Sequence, residues 1–217
     1  LADFFCTTTE GVRADRAKDW RLVDHSAKPQ AFAQAVLDHA GRLAAASDRP
    51  SEAKGITLTP LKCAIDASGY HYEYVDAVID RAARTATLTV SGPKQAQPDA
   101  IEGVLAAGVA WWPLQMAREL DDTILMLRTN ELEIGTWQLK TRGDIDSVLA
   151  VDAVLAKHRA HWFVRETVGL LRRTLARLDV SSRTLFAIID KGSCFAGTLA
   201  ELALAADRSY MLQLPDA

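Results

Sequence analysis

The segment from Ile188 to Arg208 holds the residues best suited to chemistry: an apolar run, a turn containing Gly192 and Gly197, and a strong helix former carrying Glu201. Such a turn presents backbone N–H groups at the start of a helix, where four lack intrahelical partners and the helix dipole adds partial positive charge. The amides of Gly197 and Thr198 can therefore stabilise an oxygen that gains negative charge. Glu201, one turn into the helix, can act as general acid or base on water or an α-proton beside that oxygen. The competing structural reading is that the glycines allow close strand–helix packing and Glu201 is simply exposed; spacing alone favours that reading. A second loop, Arg128 to Trp137, is expected to follow a strand and to offer the amide of Ile134 or Gly135 to the same pocket. Two donors from separate loops are what an oxyanion site requires.

Cys194 is a candidate for lining that pocket, although free cysteines are more often small buried groups, and no neighbouring His supports a thiolate nucleophile. His158 and His161 have a metal-compatible spacing on one helix face. No acidic ligand or H-E-x-x-H pattern accompanies them, so no metal site is expected. Arg172, Arg173 and Arg177 suit either phosphate groups or a partner subunit, but a solvated helix face is the favoured reading.

The elements that must position these groups follow from the hydrophobic pattern. Ala14 to Ala46 reads as two helices broken around Asp24 to Lys28, and the turn formers of Ser47 to Gly55 read as a boundary. Tyr70 to Ile79 and Thr85 to Val90 alternate β-branched and aromatic residues around a short polar turn, which predicts a hairpin. Pro93 and Pro98 end that pattern. A helix is expected over Ala100 to Glu119, with Pro113 marking a kink or a fresh start. Asp122 to Arg128 and Arg183 to Ile189 are apolar runs of strand length. Between them Val164, Val168, Leu171, Leu175 and Leu178 form a helical stripe. Strands separated by helices predict an α/β fold.

Composition excludes several classes. The 217 residues are 49% apolar and 24% charged, with a net charge of -3, so a packed core is expected and neither nucleic acid nor an anionic membrane surface is. No stretch approaches the roughly 18 apolar residues of a membrane span. Cys6, Cys63 and Cys194 form no even framework, which fits reduced thiols in the cytoplasm.

The run from Gly192 to Asp207 resembles the signature helix of the crotonase (enoyl-CoA hydratase/isomerase) superfamily, and Arg118 to Gly135 looks like its first oxyanion loop. More narrowly, Asn130 to Trp137, His161 to Arg177 and Gly192 to Gly197 resemble the family of benzoyl-CoA-dihydrodiol lyases, also called epoxybenzoyl-CoA dihydrolases. This resemblance covers essentially the whole chain. It implies a crotonase-like βα-repeat fold and a bacterial, cytoplasmic enzyme of aerobic benzoate breakdown that opens an epoxidised benzoyl-CoA ring hydrolytically and releases formate. It further implies a CoA-thioester substrate that carries its own coenzyme A, no separate cofactor, and a homo-oligomeric intact enzyme. Ile134 or Gly135 and Gly197 or Thr198 would be the oxyanion donors, and Glu201 the acid–base residue.

Members of that family are over twice this length and carry two crotonase-like regions. The resemblance places the present chain in the middle: 1–50 as the helical remnant of a first domain, 51–69 as a linker, and 70–217 as the first half of a second domain. A fragment of this kind is expected to be inactive alone. Thr198 and Leu199 stand where glycines are usual, the step from Gly192 to Glu201 is one residue longer, and Thr136 and Trp137 replace the usual small residue and Asp. These departures imply that the better-formed thioester site lies upstream of Leu1. They leave open a second reading, a non-catalytic half that packs against the active one and mediates subunit association, and a third, an enoyl-CoA hydratase or isomerase.

Overall fold

A computed structural model describes residues 2–49, 52 and 54–213, and the chain divides into two units, Leu1–Gly55 and Ile56–Ala217. The first unit contains α1 (Ala2–Thr7), α2 (Ala14–Asp19) and α3 (Pro29–Ala45). The expected break between two helices is present. Arg21 adopts φ +57 just after α2, and Pro29 starts α3, where its missing N–H would have had no partner. Ala17 is buried, whereas none of the 17 residues of α3 is. Pro50, Ser51 and Ala53, in the expected boundary, lie outside the described residues.

The second unit is built on a seven-stranded sheet whose spatial order follows the chain: β1 (Ala64–Asp66), β2 (Gly69–His71), β3 (Val75–Asp80), β4 (Thr85–Ser91), β5 (Thr136–Arg142), β6 (Thr184–Ile189) and β7 (Arg208–Met211). Strands β1 to β4 pair antiparallel, and β4 to β7 pair parallel. The predicted hairpin is β3–β4, tightened by Arg84 at φ +57 and by Asp80, whose carboxylate accepts from the Ala83 N–H. Its first arm differs from expectation. Tyr70 to Ile79 is two strands, β2 and β3, joined by a turn in which the Tyr72 N–H donates to the Val75 carbonyl. The stretch 51–69, expected as a linker, contains β1.

Parallel strands need long crossovers. The first contains α4 (Ile101–Ala107), a 3-10 turn (Gly108–Ala110) and α5 (Trp112–Asn130); the second contains α6 (Ile145–Lys157) and α7 (Trp162–Asp179); the third is a 3-10 turn (Gly197–Leu199) running into α8 (Ala200–Leu204). Pro113 makes a fresh helix start, its ring in the first turn of α5. Asp122 to Arg128 is not a strand but lies within the second half of α5. Leu120, Ile124 and Leu127 are all buried at four-and-three spacing, which continues the face begun by Leu114, Met116 and Ala117.

One face of the sheet carries the core. Val75, Ala77 and Ile79, then Ala86, Leu88 and Val90, then Trp137, Leu139 and Thr141 are buried under the helices, while Thr85, Thr87, Thr89, Gln138, Lys140 and Arg142 alternate onto the other, half-exposed face. Trp111, Trp112 and Trp137 are fully buried; Trp112 donates its indole N–H to the Ser91 carbonyl. In α7 the buried row is Val164, Thr167, Leu171, Thr174 and Leu178. Val168 and Leu175, which the stripe included, are only partly covered.

Candidate functional site

In a parallel sheet, ligands gather beyond the carboxyl ends of the strands, because the loops there face one crevice. Here those ends are Ser91 on β4, Arg142 on β5 and Ile189 on β6. The turn after β6 brings Asp190 back over β5. Arg142 is paired with Asp190 through both terminal guanidinium nitrogens, Nη1 and Nη2, Lys140 Nζ lies 3.1 Å from Asp190 Oδ2, and Ser193 Oγ donates to Asp190 Oδ1 at 3.1 Å. The Arg142 contact, then the Lys140 contact, holds the Asp190 carboxyl far below the usual carboxylate range.

Beneath this ion pair the backbone is knitted shut. Gly92 N–H donates to the Arg142 carbonyl at 2.8 Å, Gly143 N–H to the Gly192 carbonyl at 3.3 Å, and Cys194 N–H to Thr141 Oγ1 at 2.8 Å. A Cβ on Gly143 would stand 3.2 Å from Gly92 N and 3.5 Å from Cys194 Sγ, so both glycines and the sulfur pack against one another. Cys194 is therefore a buried packing group. Burial pushes its thiol up, away from a thiolate.

The first expected pair of donors is elsewhere. Because α5 runs on to Asn130, the stretch Glu131 to Gly135 precedes β5 instead of following a strand. Ile134 is buried and its N–H donates to the Glu131 carbonyl at 3.1 Å; Gly135 N–H donates to the Arg84 carbonyl at 3.1 Å. Both amides are consumed at the amino end of β5. Gly197 and Thr198 follow the carboxyl end of β6 and pack against Asp152 of α6, whereas Ile134 and Gly135 lead into the amino end of β5. The amides of Ile134, Gly135 and Thr198 are each already bonded within the protein.

The second loop does border a cleft. A space of about 1190 Å³ lies between α6, α7 and α8, lined by Leu155, Val168, Leu171, Leu175 and Leu204, with Arg159, Arg172, Arg173, Glu201 and Asp152 among its polar groups. Glu201 is exposed on α8 and faces this space. The donor beside it is already engaged. Asp152, on α6, accepts from Thr198 N–H at 2.6 Å and from Thr198 Oγ1 at 2.5 Å. Gly197, at φ +48, lies so close that a Cβ there would overlap Asp152 Oδ2. An internal carboxylate thus occupies the place a substrate oxygen would need at Thr198.

The remaining candidates fall to structural roles. Arg177 Nε pairs with Asp121 Oδ1 at 2.6 Å, whereas Arg172 and Arg173 are exposed beside the cleft. His158 and His161 do not share a helix face. His158 ends α6 with Nε2 3.1 Å from the Asp99 carbonyl, and His161 caps α7 by accepting from Phe163 N–H. Among the described residues no cluster of three or more His, Cys, Asp or Glu is placed to hold a metal. Sequence reasoning missed β5 and with it Arg142 and Asp190, although the alternation of Trp137, Leu139 and Thr141 with Gln138, Lys140 and Arg142 is a strand signal. Asp152 gave no such signal, since its role depends on a contact 46 residues away.

No family model matches the chain. Over 216 of its 217 residues the chain is 59% identical to a protein of Aromatoleum evansii. That protein is benzoyl-CoA-dihydrodiol lyase. The resemblance read from residues 130–137, 161–177 and 192–197 is thereby borne out. The chain spans 39% of the lyase's length. Solved structures give fainter likenesses. An enoyl-CoA hydratase from Geobacillus kaustophilus is 14% identical at a TM-score of 0.41, covering 65% of this chain and 46% of that one. An enoyl-CoA hydratase from Bacillus halodurans is 15% identical at a TM-score of 0.40, covering 63% and 49%.

Proposed function

We propose that this chain is part of a CoA-thioester lyase that opens the epoxidised ring of benzoyl-CoA by hydrolysis and releases formate. The observation that carries this reading is the 59% identity to benzoyl-CoA-dihydrodiol lyase along the entire chain. The substrate brings its own coenzyme A, so no further cofactor is required. The three free thiols, of which Cys194 is buried, suit the reducing cytoplasm, and among the described residues no helix is long and apolar enough to cross a membrane.

Within that enzyme the sheet-bearing unit acts as scaffold and not as the thioester site. Stabilising a developing oxyanion takes preorganised donors that are free to meet it. Here Gly135 N–H is spent on the Arg84 carbonyl at the start of β5, and Thr198 N–H on the Asp152 carboxylate of α6. This favours the structural half over the catalytic one, with Glu201 outside the chemistry and the chain alone inactive in ring opening. The exposed arginines and apolar lining of the α6–α8 cleft suit association within a homo-oligomer.

The test is an assay of the intact enzyme that contains this sequence, with epoxidised benzoyl-CoA and, separately, crotonyl-CoA. Formate and an aliphatic CoA semialdehyde are expected from the first. Hydration of crotonyl-CoA without formate release from the aromatic substrate would overturn the reading in favour of an enoyl-CoA hydratase.

A further inference from the structure

The antiparallel edge of the sheet carries a titratable cluster that takes no part in the site above. His71 on β2 lies between Asp66 at the end of β1 and Asp76 on β3. Its Nδ1 is 2.5 Å from Asp76 Oδ1, and its Nε2 is 2.9 Å from Ser68 Oγ and 3.3 Å from Asp66 Oδ1. Asp66 Oδ1 also accepts from Ser68 N–H at 2.7 Å and from Ser68 Oγ at 2.6 Å.

The order Ser68, His71, Asp76 has the connectivity of a nucleophilic triad. Counting protons argues against that use. Ser68 has one hydroxyl proton, and its shorter contact directs it to Asp66. Nε2 must then donate to Ser68 Oγ or Asp66, while Nδ1 donates to Asp76. Both ring nitrogens are donors, so the ring is an imidazolium and cannot act as a base.

We propose that protonated His71 is a pH-operated clasp that holds the edge strand β1 on the sheet. Strand β1 is only three residues long, wholly exposed, and paired at three positions. The groups facing His71 are Asp66 from β1, Asp76 from β3 and the neutral Ser68 from the intervening turn; Arg81 reaches the other side of that turn, to the Ala67 carbonyl and to Glu131. Among the described residues the ion pairs of Asp66 and Asp76 are made with His71 alone. Loss of its proton leaves two carboxylates facing each other across β2, and β1 is the strand with least to hold it.

The hydrogen bond to Asp76, the largest cause, raises the His71 pKa above its ordinary 6.5, and the bonds from Ser68 lower that of Asp66 to about 2. The clasp is therefore closed below 6.5 and released as pH rises through the elevated value, while acid opens it only once Asp66 is protonated.

The test is NMR on the 217-residue chain between about pH 5 and about pH 9, following the His71 ring and the exchange of β1 amides corrected for intrinsic rate. His71 is expected to titrate above 6.5, with β1 protection falling about tenfold for each unit of that elevation while the β3 and β4 amides hold. Asp76→Asn should return the ring toward its ordinary pKa, and His71→Gln should abolish the pH dependence of β1. A ring that titrates at or below 6.5, or β1 protection that ignores the titration, would overturn the proposal. Covalent labelling of Ser68 by a fluorophosphonate would overturn the proton assignment.

Discussion

The amino and carboxyl ends of the parallel strands are built in opposite ways. At the amino end, Gly135 has nothing within 4 Å of where a side chain would begin, and its amide belongs to the backbone pairing that starts β5. At the carboxyl end, Gly92 would meet Val148 at 3.2 Å, Gly143 sits at φ +140 against Gly92, and Gly197 at φ +48 lies under Asp152. Only the second set is shaped by close approach. A glycine in a loop can therefore be fixed by close packing or by nothing nearby, as Gly197 and Gly135 show.

Substitutions that separate the two ends test this contrast. Gly197→Ala should do the most damage, because it adds a left-handed backbone strain and displaces Asp152 from Thr198. A loss of about 3 kcal/mol in urea unfolding of the 217-residue chain is expected. Asp152→Ala removes the same two hydrogen bonds without the strain and should lose about 2 kcal/mol, with Asp152→Asn retaining part of it. Asp190→Asn tests the ion pair with Arg142 and Lys140 through pH. A carboxyl held below its ordinary 3.8 contributes stability above that value and loses it as pH falls, so the wild type should lose stability more steeply than the variant in acid melts below 3.8. Gly135→Ala should fall within about 0.5 kcal/mol of wild type. A Gly135→Ala loss equal to that of Gly197→Ala would erase the contrast.

Much of the fold is legible in the sequence, for reasons that are local. The alternation in Val75 to Ile79 and Thr85 to Val90 can bury one face only as a hairpin, and Pro29 and Pro113 start helices because the first turn has no use for their missing donors. Asp122 to Arg128 misleads because a four-residue apolar cluster fits a strand as well as a helix. The tie is broken by Leu114, Met116 and Leu120, farther back than a strand-length window reaches. That one misreading reverses the chain's polarity in the sheet: with α5 in place, Ile134 and Gly135 enter β5 at its amino end. The contacts that define the site region are long-range. Asp152 with Thr198, and Arg142 with Asp190, are 46 and 48 residues apart, and no spacing rule of a single helix or strand brings them together.

The scaffold role of this region is tested most directly by steady-state turnover of the intact enzyme carrying Glu201→Gln, with oligomeric state measured alongside. The account predicts kcat and KM for the epoxidised benzoyl-CoA within about twofold of wild type, since a carboxylate outside the chemistry contributes little to the barrier. A fall in kcat of about a hundredfold or more in a normally assembled variant is what loss of a general acid or base produces, and it would contradict the account.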